Sequence, residues 1–104
     1  MKKQGYLYWG NVQNNESVSG KRPFLVLSKS QTNNEIVVAP LRSIKSLTYT
    51  QVPISSKRYP LKDGTIFLEQ VTSIKAEYLG EEICELQNEE VSKIKEGLKI
   101  LFSL

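Results

Sequence analysis

Gly20-Lys21-Arg22-Pro23-Phe24-Leu25-Val26-Leu27-Ser28 is the stretch on which the fold turns. Phe24 to Leu27 is an unbroken apolar run, too short for a helix and bounded by Pro23 and Ser28. Such a run between breakers reads as a buried strand. Two cations, Lys21 and Arg22, stand immediately before it.

Working outward, Gly5–Val12 holds Tyr6, Leu7, Tyr8 and Trp9, residues that suit a pleated surface, and reads as the first strand. The rings alternate in and out, so at least one belongs to a core or an interface rather than to a stacking platform. The polar residues 13–21, with Asn14-Asn15 and Gly20, form a loop. Asn33-Asn34 marks a turn, and Ile36–Ala39 is the next strand, which Pro40 interrupts or confines to an edge. Leu41–Thr48 is weakly patterned, Thr50–Ile54 is a short strand, and Ser55–Lys62 is a basic polar loop. Asp63-Gly64 turns into a strong strand over Thr65–Val71, and Glu77–Leu86 holds a further strand bent near Gly80.

The period then changes. Val91, Ile94, Leu98 and Leu101 recur at helical spacing, with Asn88 as N-cap and Glu89 and Glu90 matching the positive end of the dipole. Gly97 costs this helix roughly 1 kcal/mol against alanine. Short strands, glycine turns and one terminal helix predict a mainly β chain: a small β-barrel with the helix laid against it.

The chain has 104 residues, one domain's worth, expected to span 1–104 without division. Its charge is unevenly spread. Residues 1–52 carry seven Lys/Arg against two Glu, and residues 53–104 carry seven Lys/Arg against nine Asp/Glu. The basic half suits an anionic partner such as phosphate, or is simply a solvated face.

Histidine is absent, which excludes Ser-His-Asp hydrolysis, His-ligated metals and a two-histidine ribonuclease mechanism. Cys84 is the sole cysteine and reads as a structural thiol, since no histidine can activate it. No metal or cofactor is expected. Met1–Gly5 does not lead into an apolar run, and Leu98–Leu104 is too short to cross a bilayer, so no membrane association and a cytoplasmic location are the expectations.

Taken in order, Gly5–Trp9, Gly20–Ser28 with its Arg22-Pro23 step, Ile36-Val37-Val38-Ala39-Pro40, and Asp63-Gly64-Thr65 running to Leu68-Glu69-Gln70-Val71-Thr72-Ser73-Ile74 resemble the MazF/PemK toxins from end to end. The resemblance implies an SH3-like barrel of MazF/CcdB type and a homodimer. It implies cleavage of single-stranded RNA at short motifs, leaving a 2′,3′-cyclic phosphate and a 5′-hydroxyl. It also implies neutralisation by an antitoxin with a disordered acidic tail.

The resemblance assigns roles residue by residue. Arg22 matches the arginine at the start of the second strand, a fork of donors for phosphate oxygens. Where the pattern has a threonine after the third strand, this chain has Arg42, with Ser43 able to supply a hydroxyl from the next position. Glu69 and Gln70 match an acidic-amide pair, with Glu69 as base if its surroundings raise its pKa. The residues before Arg22 become an RNA-contacting flap, with Asn14, Glu16, Ser17, Ser19 and Lys21. Lys57, Arg58, Tyr59 and Lys62 add cations beside an aromatic, and Gln70 and Ser73 are hydrogen-bonding candidates. For each, a solvated or internally satisfied side chain is the competing reading.

Three alternatives stand beside this one. The chain could be a barrel of the gyrase-poisoning CcdB type, although the only tryptophan, Trp9, is far from the C-terminus. It could be a barrel that binds RNA or protein without cutting, given Arg42, or a related nuclease held in check by an RNA.

Overall fold

The structure, a computed structural model, describes residues 2–12, 20–29 and 33–104. The strand Gly20–Val26 (β2) lies between Tyr6–Val12 (β1) and Glu35–Arg42 (β3), antiparallel to both. That central position explains its unbroken apolar run. Phe24 and Val26 enter one core with Tyr8, Val12, Ile36, Val38, Ile74 and Leu79. Leu25 points the other way, into a second core with Leu7, Ala39, Leu41, Val52, Ile66 and Ile94. A strand covered on both faces has no position for a polar alternate.

The remaining elements are Gln51–Ile54 (β4), Gly64–Phe67 (β5), Thr72–Lys75 (β6), Leu79–Glu85 (β7) and the helix Asn88–Phe102 (α1), with single 3-10 turns at Leu68–Gln70 and Ala76–Tyr78. β3 exchanges partners along its length. Its first half pairs with β6, from Glu35↔Lys75 to Val38↔Thr72, and its end pairs with β5 at Leu41↔Ile66 and Arg42↔Thr65. β7 pairs with β1, and β4 with β5. Ile74 of β6 and Leu79 of β7 reach the Phe24 core, so the two outer strands curl over that face and make the barrel. α1 covers the other face, burying Ile94 and Gly97, with Val91, Leu98 and Leu101 half-buried against the Leu25 core.

Four local expectations are corrected. β3 runs through Pro40, which pairs with Phe24 in the gap between the β6 and β5 contacts of β3. Pro40 therefore falls where β3 bonds neither outer partner. The strand after Asp63 ends at Phe67, and the Gln-Val-Thr-Ser segment supplies a separate strand, β6. The strand read from Glu77 begins at Leu79, after a 3-10 turn. Finally, Asn88 is already helical and the N-cap is Gln87, whose side chain does not cap the helix; its Oε1 accepts from Arg58 Nη2 at 2.9 Å, and its N–H donates to Tyr59 Oη at 2.9 Å.

Candidate nucleic-acid interface

The start of β2 and the end of β3 run out at the same edge of the barrel. β2 and β3 pair as far as Phe24↔Pro40, and two residues beyond that pair on each strand stand Arg22 and Arg42, near enough for the charge of Arg42 to lower the Arg22 pKa. The turn after Ser55 returns to begin β5 at Gly64, and Arg42↔Thr65 fixes that loop beside the two arginines. Gly64 is required there. A Cβ on it would meet Leu41 Cδ2 at 2.5 Å and the Arg42 carbonyl oxygen at 3.0 Å.

Between these pieces lies an open cleft of about 980 Å³. Trp9, Lys21, Arg22, Arg42 and Ser43 form one side, and Ser56, Pro60, Leu61, Lys62 and Asp63 the other. The charges among the described lining residues are Lys21, Arg22, Arg42 and Lys62 against Asp63 alone. Arg22 is half-buried; burial, and then the like charge of Arg42, hold its pKa below the ordinary arginine value. It remains a cation at any working pH. Arg42 rests over the Phe67 ring, 5.3 Å from its centroid. An anion seated between the two guanidiniums relieves both the desolvation and the repulsion.

Asp63 accepts the Ser56 N–H at 2.7 Å. That bond, with a further one from the Ser56 side chain and the nearby charge of Lys57, keeps its carboxyl below the usual range. It is therefore ionised and a weak base.

The structure separates the remaining sequence candidates from this cleft. Glu69 accepts Gln51 Nε2 at 2.8 Å and Thr50 Oγ1 at 3.3 Å, and does not line the cleft. Leu68–Gln70 leaves the end of β5 opposite to Gly64, so the structure does not bring Glu69 into the cleft with Arg22 and Arg42. Arg58 is turned toward the helix start: its Nε and Nη2 are engaged by Glu90 (2.9 and 3.0 Å), Gln87 (2.9 Å) and Glu89 (3.2 Å), and it is not among the residues lining this cleft.

Ser73 pairs with Val37 on β3, five residues before Arg42, a distance of about 17 Å along a strand. Its Oγ donates to Glu35 Oε1 at 2.9 Å. Gln70 and Lys57 are also absent from the described lining. Asn14, Glu16, Ser17 and Ser19 lie outside the described residues. Thus Lys21, Arg22, Arg42 and Ser43 come together, and sequence reasoning underrated Trp9, Lys62 and Asp63. Tyr8 is the ring buried in the core, whereas Trp9, 37% exposed, faces the cleft. The sequence signal was the parity of β1, which makes neighbours of Tyr8 point oppositely.

Known proteins resemble this chain along nearly its whole length. Residues 3–102 match the family described as PemK-like, MazF-like toxin of type II toxin-antitoxin system. The chain is 32% identical over 110 residues to Endoribonuclease EndoA of Bacillus subtilis (strain 168), covering 98% of this chain and 95% of that protein. Among solved structures it resembles an endoribonuclease in complex with its cognate antitoxin from a mycobacterial species, with a TM-score of 0.84, 19% identity, and 100% and 97% of the two chains covered. It also resembles MazF from Deinococcus radiodurans, with a TM-score of 0.83, 18% identity, and 99% and 97% covered. The chain belongs to the PemK-like, MazF-like toxins of type II toxin-antitoxin systems.

Proposed function

We propose that this protein is a toxin endoribonuclease that cuts single-stranded RNA at short motifs and is neutralised by a cognate antitoxin. The curated relative is an endoribonuclease, and a structural neighbour is held by its antitoxin. The observation that carries the reading is the pair Arg22 and Arg42, which line one open cationic cleft where β2 begins and β3 ends.

In the proposed reaction the ribose 2′-oxygen attacks the adjacent phosphorus and passes its proton to solvent water in the open cleft. The P–O5′ bond breaks, and the departing 5′-oxygen takes a proton from water. The products are a 2′,3′-cyclic phosphate and a 5′-hydroxyl. Arg22 and Arg42 stabilise the charge that gathers on the phosphoryl oxygens, and their bonds strengthen as the phosphorane forms. Ser43 offers a hydroxyl to the same group. Trp9 gives an unstacked base a flat apolar face, and Lys21 and Lys62 hold flanking phosphates. The four cations equally suit the acidic segment of an antitoxin. A homodimer acting on cytoplasmic RNA completes the reading, and equilibrium sedimentation tests the dimer.

Incubation of the purified protein with mixed RNA, followed by end-mapping, tests the activity. Discrete cuts are expected, with 5′ ends that accept phosphate from a kinase without prior dephosphorylation. Intact RNA, together with inhibition of DNA supercoiling in a parallel gyrase assay, would overturn the proposal.

A further inference from the structure

We propose that Glu90 is a positioning residue for the RNA cleft, acting through Tyr59 and Arg58 on the loop that carries Lys62; the inference rests on the ribonuclease reading.

Glu90 is 3% exposed in the first turn of α1, beside the exposed Glu89. An exposed acid there satisfies the helix dipole equally well, so capping does not explain the burial. A carboxylate withdrawn from water needs a full set of donors. Glu90 has them from the loop: Arg58 Nε at 2.9 Å, Arg58 Nη2 at 3.0 Å and Tyr59 Oη at 2.6 Å. Tyr59, itself 5% exposed, accepts the Gln87 N–H with the same oxygen. Two consecutive loop residues are thereby fastened to the start of the helix.

The next four residues, Pro60 to Asp63, form the cleft wall facing Arg22 and Arg42. Lys62 is three residues beyond Tyr59, within about 11 Å of chain, and Leu61 N–H returns to the Tyr59 carbonyl at 2.8 Å. The far end of the wall is held by Asp63 on Ser56 and by β5. The helix, acting through a buried carboxylate, therefore holds one end of the short segment that carries Lys62, and Asp63 holds the other. Releasing the fastening leaves the cation present but no longer preorganised, which weakens RNA binding without touching the groups at the scissile phosphate.

The test is a double-mutant cycle on an oligoribonucleotide containing a mapped cut site. Glu90→Gln and Tyr59→Phe keep the shape of the side chains, and circular dichroism checks that each variant folds. Each is expected to raise KM roughly five- to twentyfold with kcat within about twofold, and Glu90→Gln should add nothing to Lys62→Ala. Additive effects, or a fall in kcat with KM unmoved in both folded variants, would overturn the inference. The same cycle is read as Kd for an uncleavable 2′-O-methylated oligonucleotide. If the wild type binds but does not cut, that Kd cycle decides the positioning role while the ribonuclease reading fails. If it neither binds nor cuts, both fail.

Discussion

The guanidinium of Arg42 lies 5.3 Å from the centroid of the Phe67 ring, where the end of β3 meets β5. The ring is 8% exposed and belongs to the core, so it is a fixed platform for the cation. Arg42→Ala should weaken RNA binding and reduce the magnitude of the log Kd against log salt slope by about 0.7, the value of one single-strand phosphate contact. Titration at several salt concentrations reads this directly. An unchanged slope removes Arg42 from the phosphate site.

Arg22 carries a heavier prediction. Removing one preorganised donor to a developing oxyanion costs on the order of a hundred- to a thousandfold in kcat. Arg22→Ala should lose at least that much while unfolding at a similar temperature, because the side chain is only half-buried. Arg22→Lys should recover little, since an ammonium lacks the planar fork. Undiminished cutting by a folded Arg22→Ala protein defeats the assignment.

Glu69 provides the contrasting case. Its carboxylate is engaged by Gln51 and Thr50, away from the cleft. Glu69→Gln should leave kcat within about threefold, as expected of a substitution outside the reacting geometry. A loss of a hundredfold would restore the carboxylate as the general base.

The barrel was legible because its apolar patterns are local. The run Phe24–Leu27 announces a doubly covered strand, and Val91, Ile94, Leu98 and Leu101 announce the helix face. β6 was missed because its partners on β3 are more than thirty residues away, as in Val37↔Ser73, and pairing of that range leaves no local period. For the site, Arg22 and Arg42 were named through the family resemblance alone; Arg42 fell in the weakly patterned Leu41–Thr48 stretch, and only the long-range pairing of β3 shows it at a strand end. The contact between Arg58 and Glu90 was not legible, because it spans 32 positions and depends on how α1 docks. A basic loop and an acidic helix start look alike in sequence whether they bind each other or a ligand.

That pairing makes stability depend on pH. Burial pushes the Glu90 carboxyl up, but bonds from Arg58, Tyr59 and the backbone outweigh it, and its pKa is lowered in the folded state. Asp63 is lowered too, chiefly by the Ser56 N–H. A carboxylate depressed on folding contributes stability above its unfolded value, near 4 for Asp and Glu, and that contribution is lost as pH falls through the folded value. Melting temperature should therefore be flat from about pH 7 to pH 5 with respect to these groups and fall below about pH 4. The gap between wild type and Glu90→Gln should narrow over the same acid range. A constant gap down to pH 3 would show that the Glu90 charge is irrelevant to stability.

Gly97 sets two effects of opposite sign against each other. In an isolated helix Gly97→Ala would gain roughly 1 kcal/mol from propensity. Here α1 crosses the barrel so closely at this residue that an added Cβ would stand 2.5 Å from Leu68 Cδ1 and 2.8 Å from the Tyr49 carbonyl oxygen. Leu68 is fully buried and the second neighbour is backbone, so neither yields by a simple rotamer change. Overpacking of this kind costs about 1–3 kcal/mol, enough to cancel or exceed the propensity gain. Gly97→Ala should thus lower the urea midpoint, with an unchanged m-value, while a control such as Lys95→Ala on the exposed face leaves it nearly unmoved. A rise in the midpoint for Gly97→Ala would mean that α1 does not seat against Leu68 and Tyr49 as described, and the fastening of Glu90 to the loop, which depends on the same docking, would have to be reconsidered.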